Sequence, residues 1–270
     1  MTEVASAGGA KPATAARIYD FHLGGTHNFP ADREAAMIVA QMFPTVPLIV
    51  KANRAFLQRA VRFVAEQGVR QFLDVGSGIP TEGNVHEVVD TAVDNSRVVY
   101  VDIDPVAVSE GLDILEGNPR ATAVNGDLRE PHSILDNPQV RALIDFNQPV
   151  GLLLVAVLHF VPDEIAYDAV AKLLGALPSG SFLVLSHGTP DEQDVADGDI
   201  DTMKTIYRQR TTTPLSLRHR AEVARFFEGL ELVEPGLVWL PQWRPEPTDP
   251  QDFVSNPSES AGLVGVARVP

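Results

Sequence analysis

Residues 70 to 78 read Arg-Gln-Phe-Leu-Asp-Val-Gly-Ser-Gly, and a second β-rich run ends at Val101-Asp102, 24 residues after Gly78. An apolar strand running into two glycines favours a tight turn, because glycine reaches left-handed backbone conformations that side chains obstruct. The interval to Asp102 is long enough for a helix and the return to a neighbouring parallel strand. The chain is thereby committed to β-α-β units, with the glycine turn and an acidic strand end together on the carboxyl edge of the sheet. Such an edge suits a nucleoside: one glycine permits the turn, the next lets a ligand approach the main chain, and the carboxylate can accept from two ribose hydroxyls. Taken alone, Gly76-Ser77-Gly78 is equally compatible with plain strand-to-helix geometry.

The rest of the chain follows the same alternation. Strands are expected at Gln71 to Val75, Val98 to Asp102, Ala121 to Asn125, Val150 to Val157 and Phe182 to Ser186, with helical stretches between them. The fourth run is apolar on both faces and belongs in the sheet centre, beside the first. Asn84 with Glu87 reads as a capping box, Asp104-Pro105 as an N-cap with proline at the first helical position, and Asp163 as the start of a further helix. Residues 1–14 lack periodicity and are expected to form a disordered leader with no part in the chemistry. Residues 15–69 are helical, most clearly where Leu48, Ile49, Ala52, Phe56, Ala60 and Phe63 recur at three and four before Gly68. They form an N-terminal lid segment ahead of a nucleoside-binding domain at 70–270. Six carboxylates between Asp191 and Asp201 predict a surface helix or flap. A helix is expected from Leu217 to Glu228, then strands at Leu230 to Leu240 and Ala261 to Arg268, joined by a proline-rich excursion.

Charge narrows the partner. With 21 basic and 36 acidic side chains the formal net charge is −15, which repels a phosphate backbone in the absence of a basic cluster, and none is visible. A small-molecule partner is expected, with no nucleic acid. The chain has no cysteine, so thiolate metal sites and thiol nucleophiles are excluded. The longest apolar run, Val150 to Leu158, falls short of the roughly 20 residues of a membrane helix, so no membrane association and a cytoplasmic location are expected.

Dinucleotides and S-adenosylmethionine both use a glycine turn with a ribose-binding acid. A dinucleotide site wants a third glycine at position 81, for close packing around a pyrophosphate, but Thr81 stands there after Pro80. S-adenosylmethionine carries no phosphate and needs a reader for its adenine amine. Asp127, in Asn125-Gly126-Asp127-Leu128 after the third strand, suits that role, although a plain turn residue is the other reading. Asp74 can hold loop amides or the ammonium of the methionine tail. Asp104 is accounted for by helix capping.

Phe72 to Gly78, Val99 to Pro105, Gly126 to Leu128 and Leu158-His159-Phe160-Val161-Pro162-Asp163 resemble the successive motifs of class I S-adenosylmethionine-dependent methyltransferases. More narrowly, Ala16 to Gly25, Asn28-Phe29, Ala31 to Glu34, Gly229 to Trp239 and Trp243-Arg244-Pro245 resemble the actinobacterial S-adenosyl methyltransferase family first catalogued as a domain of unknown function. The resemblance spans about Ala15 to Arg268. It implies a Rossmann-like seven-stranded α/β sheet, mostly parallel with an antiparallel last strand, and a segment around Tyr19 that closes over S-adenosyl-L-methionine. Ile79-Pro80 departs from the commoner loop, which has a third glycine. The expected cofactor contacts are Tyr19, Asp74, Gly76, Ser77, Gly78, Asp102, Ile103, Asp127, Leu128 and Ala156.

Methyl transfer from a sulfonium is an in-line displacement, in which alignment and desolvation supply much of the acceleration and a base is optional. If the acceptor is a hydroxyl, His159 beyond the fourth strand is the candidate catalytic base, with His187 second. The other reading for His159 is an imidazole packed in the cleft. Trp239 and Trp243 are expected in the core. The expected function is methyl transfer to a small molecule. The alternatives are a non-catalytic protein that binds or senses the cofactor and a nicotinamide-dependent oxidoreductase, the latter disfavoured by Thr81.

Overall fold

The computed structural model describes residues 12–80, 83–191, 202, 204–205, 207–209, 211 and 215–270. Its centre is an eight-stranded sheet: β1 (Gln71–Val75), β2 (Arg97–Asp102), β3 (Ala121–Asn125), β4 (Gly151–Val155), β5 (Phe182–Gly188), β6 (Glu231–Leu232), β7 (Val238–Trp239) and β8 (Gly262–Arg268). The order is β3-β2-β1-β4-β5-β8-β6, and β7 also pairs with β8. The first five strands are parallel, and β8 runs antiparallel to β5, β6 and β7. The chain is α/β, and the order reverses after β3, so the carboxyl ends of β1 and β4 flank the crevice where ligands of open sheets bind.

Both faces of the parallel strands are covered, as their continuous apolar runs require. Leu73, Val75, Val99, Val101, Leu152, Leu154 and Leu185 pack on one face against Ala166, Val170 and Leu173 of a helix at Asp163–Gly175. Phe72, Val98, Leu153, Val184 and Val266 point the other way, against the long helix Val46–Glu66. That helix buries Ala52, Phe56, Ala60 and Val64 at four-residue spacing and stops before Gly68, whose φ is +97°. With Ala15–His22, Pro30–Met42 and Val46–Glu66 labelled α1, α2 and α3, the N-terminal segment is three helices, of which α1 and the first half of α3 reach the carboxyl edge of the sheet.

Several local expectations are refined. The fourth strand ends at Val155, because Ala156 enters the left-handed region at φ +55° and the chain leaves the sheet. The strand expected from Leu230 to Leu240 is two short strands. Pro235 has no N–H to offer a ladder, and Gly236, at φ +87°, closes a turn by donating to the Val233 carbonyl at 2.8 Å. This raises the seven strands expected to eight. The helix expected over 217–228 is one turn, Arg220–Ala224, followed by a 3-10 turn at Arg225–Phe227. Half of the Asn84 capping box forms: Glu87 Oε2 accepts from Asn84 N at 2.8 Å, while Asn84 Oδ1 is unpartnered.

The expected leader lies outside the described residues up to position 11. Its last residues join the fold: Ala13 bridges to Thr211, and Thr14 donates from its hydroxyl to Asp104 Oδ2 at 2.8 Å. The expected acidic flap lies outside the described residues apart from Asp191, which accepts from Arg220 N at 2.6 Å. The proline-rich excursion is tied to α3 by Arg59, which donates to the carbonyls of Leu240 and Trp243 and to Asp249. Trp243 is fully buried against Phe56, and Trp239 is also in the core. Among the described residues no single helix is long and apolar enough to cross a membrane.

Candidate active site

A cavity of about 780 Å³ opens at the carboxyl ends of β1 to β5, and α1 and the first half of α3 line its other side. Its floor begins at the glycine turn. Gly76 and Gly78 have φ of +74° and +63°, and the Gly76 and Ser77 amides donate to the Val101 carbonyl at 2.8 and 3.1 Å. A Cβ on Gly76 would stand 2.1 Å from Val157 Cγ2, so both backbone and packing demand glycine there.

The same turn orients Asp102. Its Oδ2 accepts from Gly78 N and its Oδ1 from Asp104 N, each at 2.8 Å. Burial pushes the Asp102 carboxyl up, and these amides pull the other way. A carboxylate offers about four lone-pair sites, so two backbone donors leave room for two hydroxyls. Asp74, at the end of β1, is pushed up to about 7, chiefly by burial, with Arg54 opposing and Asp102 adding to the rise. Arg54 comes from α3 and lines the cavity, and its buried Nε has no hydrogen-bond partner. An unpartnered buried donor in a cavity wall is the sort of group a ligand completes.

Above this floor lies a polar chain. The Tyr19 hydroxyl accepts from Asn53 Nδ2 at 2.9 Å and donates to the Val50 carbonyl at 3.3 Å. Asn53 Oδ1 accepts from Ser186 Oγ at 2.6 Å, and Ser186 Oγ accepts from Ala156 N at 2.9 Å. Tyr19 on α1 is thus connected through α3 to the ends of β4 and β5. Burial pushes its phenol up, so it stays protonated. The roof is anchored by Arg17, which is 2% exposed and donates to Asp32 Oδ2 at 2.9 Å, to Asp104 Oδ2 at 2.6 Å and to the Pro12 carbonyl. Asp104 caps its helix through Oδ1, at 2.9 Å from Val106 N, but it also clamps the N-terminal segment through Oδ2. Capping alone does not account for it.

All the expected contact residues line this cavity: Tyr19, Asp74, Gly76, Ser77, Gly78, Asp102, Ile103, Asp127, Leu128, Ala156 and His159. Ile103 is half exposed at its mouth. Asp127 is engaged with Arg129, whose Nε and Nη2 lie 2.7 to 3.0 Å from its oxygens and whose amide donates to Oδ1 at 2.9 Å. Burial raises its pKa, yet Arg129 outweighs burial and holds the carboxyl below the usual range. Any adenine contact by Asp127 is therefore made by a carboxylate already paired.

His159 occupies a 3-10 turn, Leu158–Phe160, after β4. Its Nδ1 accepts from Gly188 N in a long bond of 3.4 Å, which puts the proton on Nε2. Burial and the nearby Arg218 push it down to about 4. In this tautomer the atom free to meet a ligand is a donor and has no lone pair for a proton, contrary to the role of base. His187 is likewise held neutral: Nδ1 donates to the Gly188 carbonyl at 2.6 Å and Nε2 accepts from Arg218 Nη1 at 2.8 Å.

Asn53, Arg54, Ser186 and the clamp role of Arg17 escaped the sequence reading. The one local signal was Asn53, a polar residue at the apolar spacing Ile49, Asn53, Phe56 and Ala60 of an amphipathic helix.

Residues 4–270 match the family described as S-adenosyl methyltransferase. A DUF574-family protein from Streptomyces avermitilis is 41% identical and superposes with a TM-score of 0.87, covering 96% of this chain and 98% of its own. A Thermobifida fusca protein of proposed methyltransferase function is 38% identical, with a TM-score of 0.87 and coverage of 96% and 95%. The N-methyltransferase NodS of Bradyrhizobium japonicum, solved with S-adenosyl-L-homocysteine, shares the fold at 12% identity and a TM-score of 0.50, covering 94% of this chain and 99% of its own. A search of curated proteins gives no match.

Proposed function

From the premise that the chain belongs to the S-adenosyl methyltransferase family, we propose that it transfers the methyl group of S-adenosyl-L-methionine to a small-molecule acceptor. The observation that carries the reading is one cavity holding three strand-end carboxyls, Asp74, Asp102 and Asp127, with one incompletely bonded guanidinium, Arg54. A molecule with a ribose diol, an adenine amine and a zwitterionic tail suits that set. Asp102 would take the diol, Asp127 the amine, Asp74 the ammonium and Arg54 the carboxylate. Gly76, Ser77 and Gly78 leave the main chain bare along one wall, and Ile103, Leu128 and Ala156 supply apolar contact.

When bound, the cofactor would supply an electrophilic methyl on a sulfonium centre. The chain's part is alignment and exclusion of water. The Tyr19–Asn53–Ser186 chain fixes α1 and α3 against the strand ends, and the Arg17 clamp holds the roof down. Asp74 and Asp102 add negative potential that favours a cation in the cavity.

The test is turnover. Purified protein given S-adenosyl-L-methionine and a panel of hydroxylated, amino and carbon-acid acceptors should form S-adenosylhomocysteine with one of them. Tight binding with no turnover on any acceptor would replace catalysis with cofactor sensing.

A further inference from the structure

Resting on the methyl-transfer reading, we propose that the acceptor is an uncharged, largely apolar molecule that presents an oxygen or nitrogen lone pair to His159 Nε2–H. The cavity is divided by charge along the sheet. Its ionisable lining, Asp74, Asp102, Asp104, Asp127 and Arg129, stands at the ends of β1 to β3, with Arg17 and Arg54 opposite. At the ends of β4 and β5 the lining is chiefly aromatic and aliphatic, with the hydroxyls of Ser186 and Thr189 as its neutral polar groups beside the imidazoles. The His159 and Phe160 rings are 4.4 Å apart, Phe160 and Tyr207 are 5.8 Å apart, and Leu217 flanks the same glycine, Gly188, as His159. Among the described residues this end of the lining holds no carboxylate, ammonium or guanidinium.

The nearest cation is not available to a ligand. Arg218 is 1% exposed and does not line the cavity. Its Nη1 donates to the Leu158 carbonyl and to His187 Nε2, and its Nη2 to the Val161 carbonyl, all at 2.8 Å, with Asp163 paired at 2.7 Å. These bonds fix the turn that carries His159. Burial keeps both imidazoles neutral, and the positive charge of Arg218 beside them adds to that preference. Tyr207 is pushed up to about 12 by burial alone and remains an uncharged phenol. His187 has both nitrogens occupied, whereas His159 has Nε2 left without a partner among the described residues.

An acceptor carrying a carboxylate or phosphate would leave that charge buried without a partner among the described residues at this end, and an ammonium would meet a donor in place of an acceptor. A neutral body gains from covering Phe160, Tyr207 and Leu217, and the His159 Nε2–H, beside the Tyr207 hydroxyl, selects for a lone pair on it. The acceptor is then held by apolar contact and oriented by one hydrogen bond, while its polarity is left for the nucleophilic atom.

The experiment uses the full chain loaded with S-adenosylhomocysteine and two matched probe sets, methyl hydroxybenzoates and the corresponding hydroxybenzoate anions, with affinities from ligand-observed NMR. The esters should bind, about tenfold or more tighter than the acids, in line with the cost of an unpaired buried charge. His159→Leu should weaken the esters by about tenfold, and His159→Gln, which keeps a donor, by about threefold or less. Equal or tighter binding of the acids, absence of ester binding, or indifference to His159→Leu would overturn the proposal. S-adenosylhomocysteine binding in the same samples keeps the two readings apart. If it persists while the esters fail, the acceptor class is wrong and the methyltransferase reading stands; if the wild type does not bind it, that reading falls first.

Discussion

Asp74→Asn should stabilise the ligand-free protein, and do so more at high pH. The Asp74 carboxyl is 6% exposed and pushed from its ordinary 3.8 to about 7, mainly by burial, with Arg54 and Asp102 as its charged neighbours. A carboxyl group whose folded pKa exceeds its unfolded one binds its proton more tightly when folded. The contribution of this group to stability is therefore greatest below about pH 4 and declines until the folded group ionises near pH 7. At about 1.4 kcal/mol per pH unit, linkage puts the cost of carrying this acid at about 4 kcal/mol by pH 8 and under about 2 kcal/mol at pH 5. Asparagine matches the neutral acid in shape and never ionises. Urea unfolding followed by tryptophan fluorescence should thus show the variant ahead of wild type at both values, with the lead growing by about 2.5 kcal/mol from pH 5 to pH 8. The same variant should bind S-adenosylhomocysteine more weakly, the usual exchange of function for stability at a site. A lead that is constant with pH, or that reverses at pH 8, would mean that Asp74 ionises normally in the fold and that burial does not govern it.

Arg54→Met should weaken S-adenosylhomocysteine by about 10- to 100-fold, the range for a lost charged hydrogen bond, and leave 5′-methylthioadenosine, which lacks the amino-acid tail, unchanged in calorimetry. Equal losses for both ligands would place Arg54 away from the tail. Asp102→Ala should cost about 1.5 to 3 kcal/mol of affinity for either ligand, measured the same way, and unchanged binding would refute the ribose assignment. Arg17→Met strands the Asp32 and Asp104 carboxylates and should lower stability by about 3 to 5 kcal/mol, with faster proteolysis near Gly24-Gly25; an unaltered melting temperature would remove Arg17 from the clamp. Gly76→Ala, forced against Val157 at a positive φ, should lose cofactor binding and reduce stability by more than about 2 kcal/mol in thermal unfolding.

The parallel strands were legible because each is a short apolar run between turn or cap residues, and the glycine turn and Asp102 lie within one β-α-β unit. Asp104-Pro105 was equally readable as a cap, since that bond spans two residues. Its second partner was not, because Arg17 lies 87 positions away and nothing local in either residue specifies the other. Asn53, Arg54 and Ser186 were missed for the same reason: Ser186 and Asn53 meet across 133 positions, after α3 has docked on the sheet. The strand over 230–240 was overextended because its apolar pattern continues through Pro235-Gly236, where turn chemistry outweighs periodicity. His159 was placed correctly at a strand end, but its proton position depends on the Gly188 amide, which comes from another strand.

The central claim is that a nucleoside lies across the carboxyl ends of β1 to β4, with its sugar at Asp102 and its amino-acid tail between Asp74 and Arg54. A crystal structure of the protein with S-adenosylhomocysteine tests it most directly. Both ribose hydroxyls should lie within hydrogen-bond reach of Asp102, and the tail carboxylate should lie on Arg54. A nucleoside bound elsewhere, or one whose ribose meets no carboxylate, would contradict it.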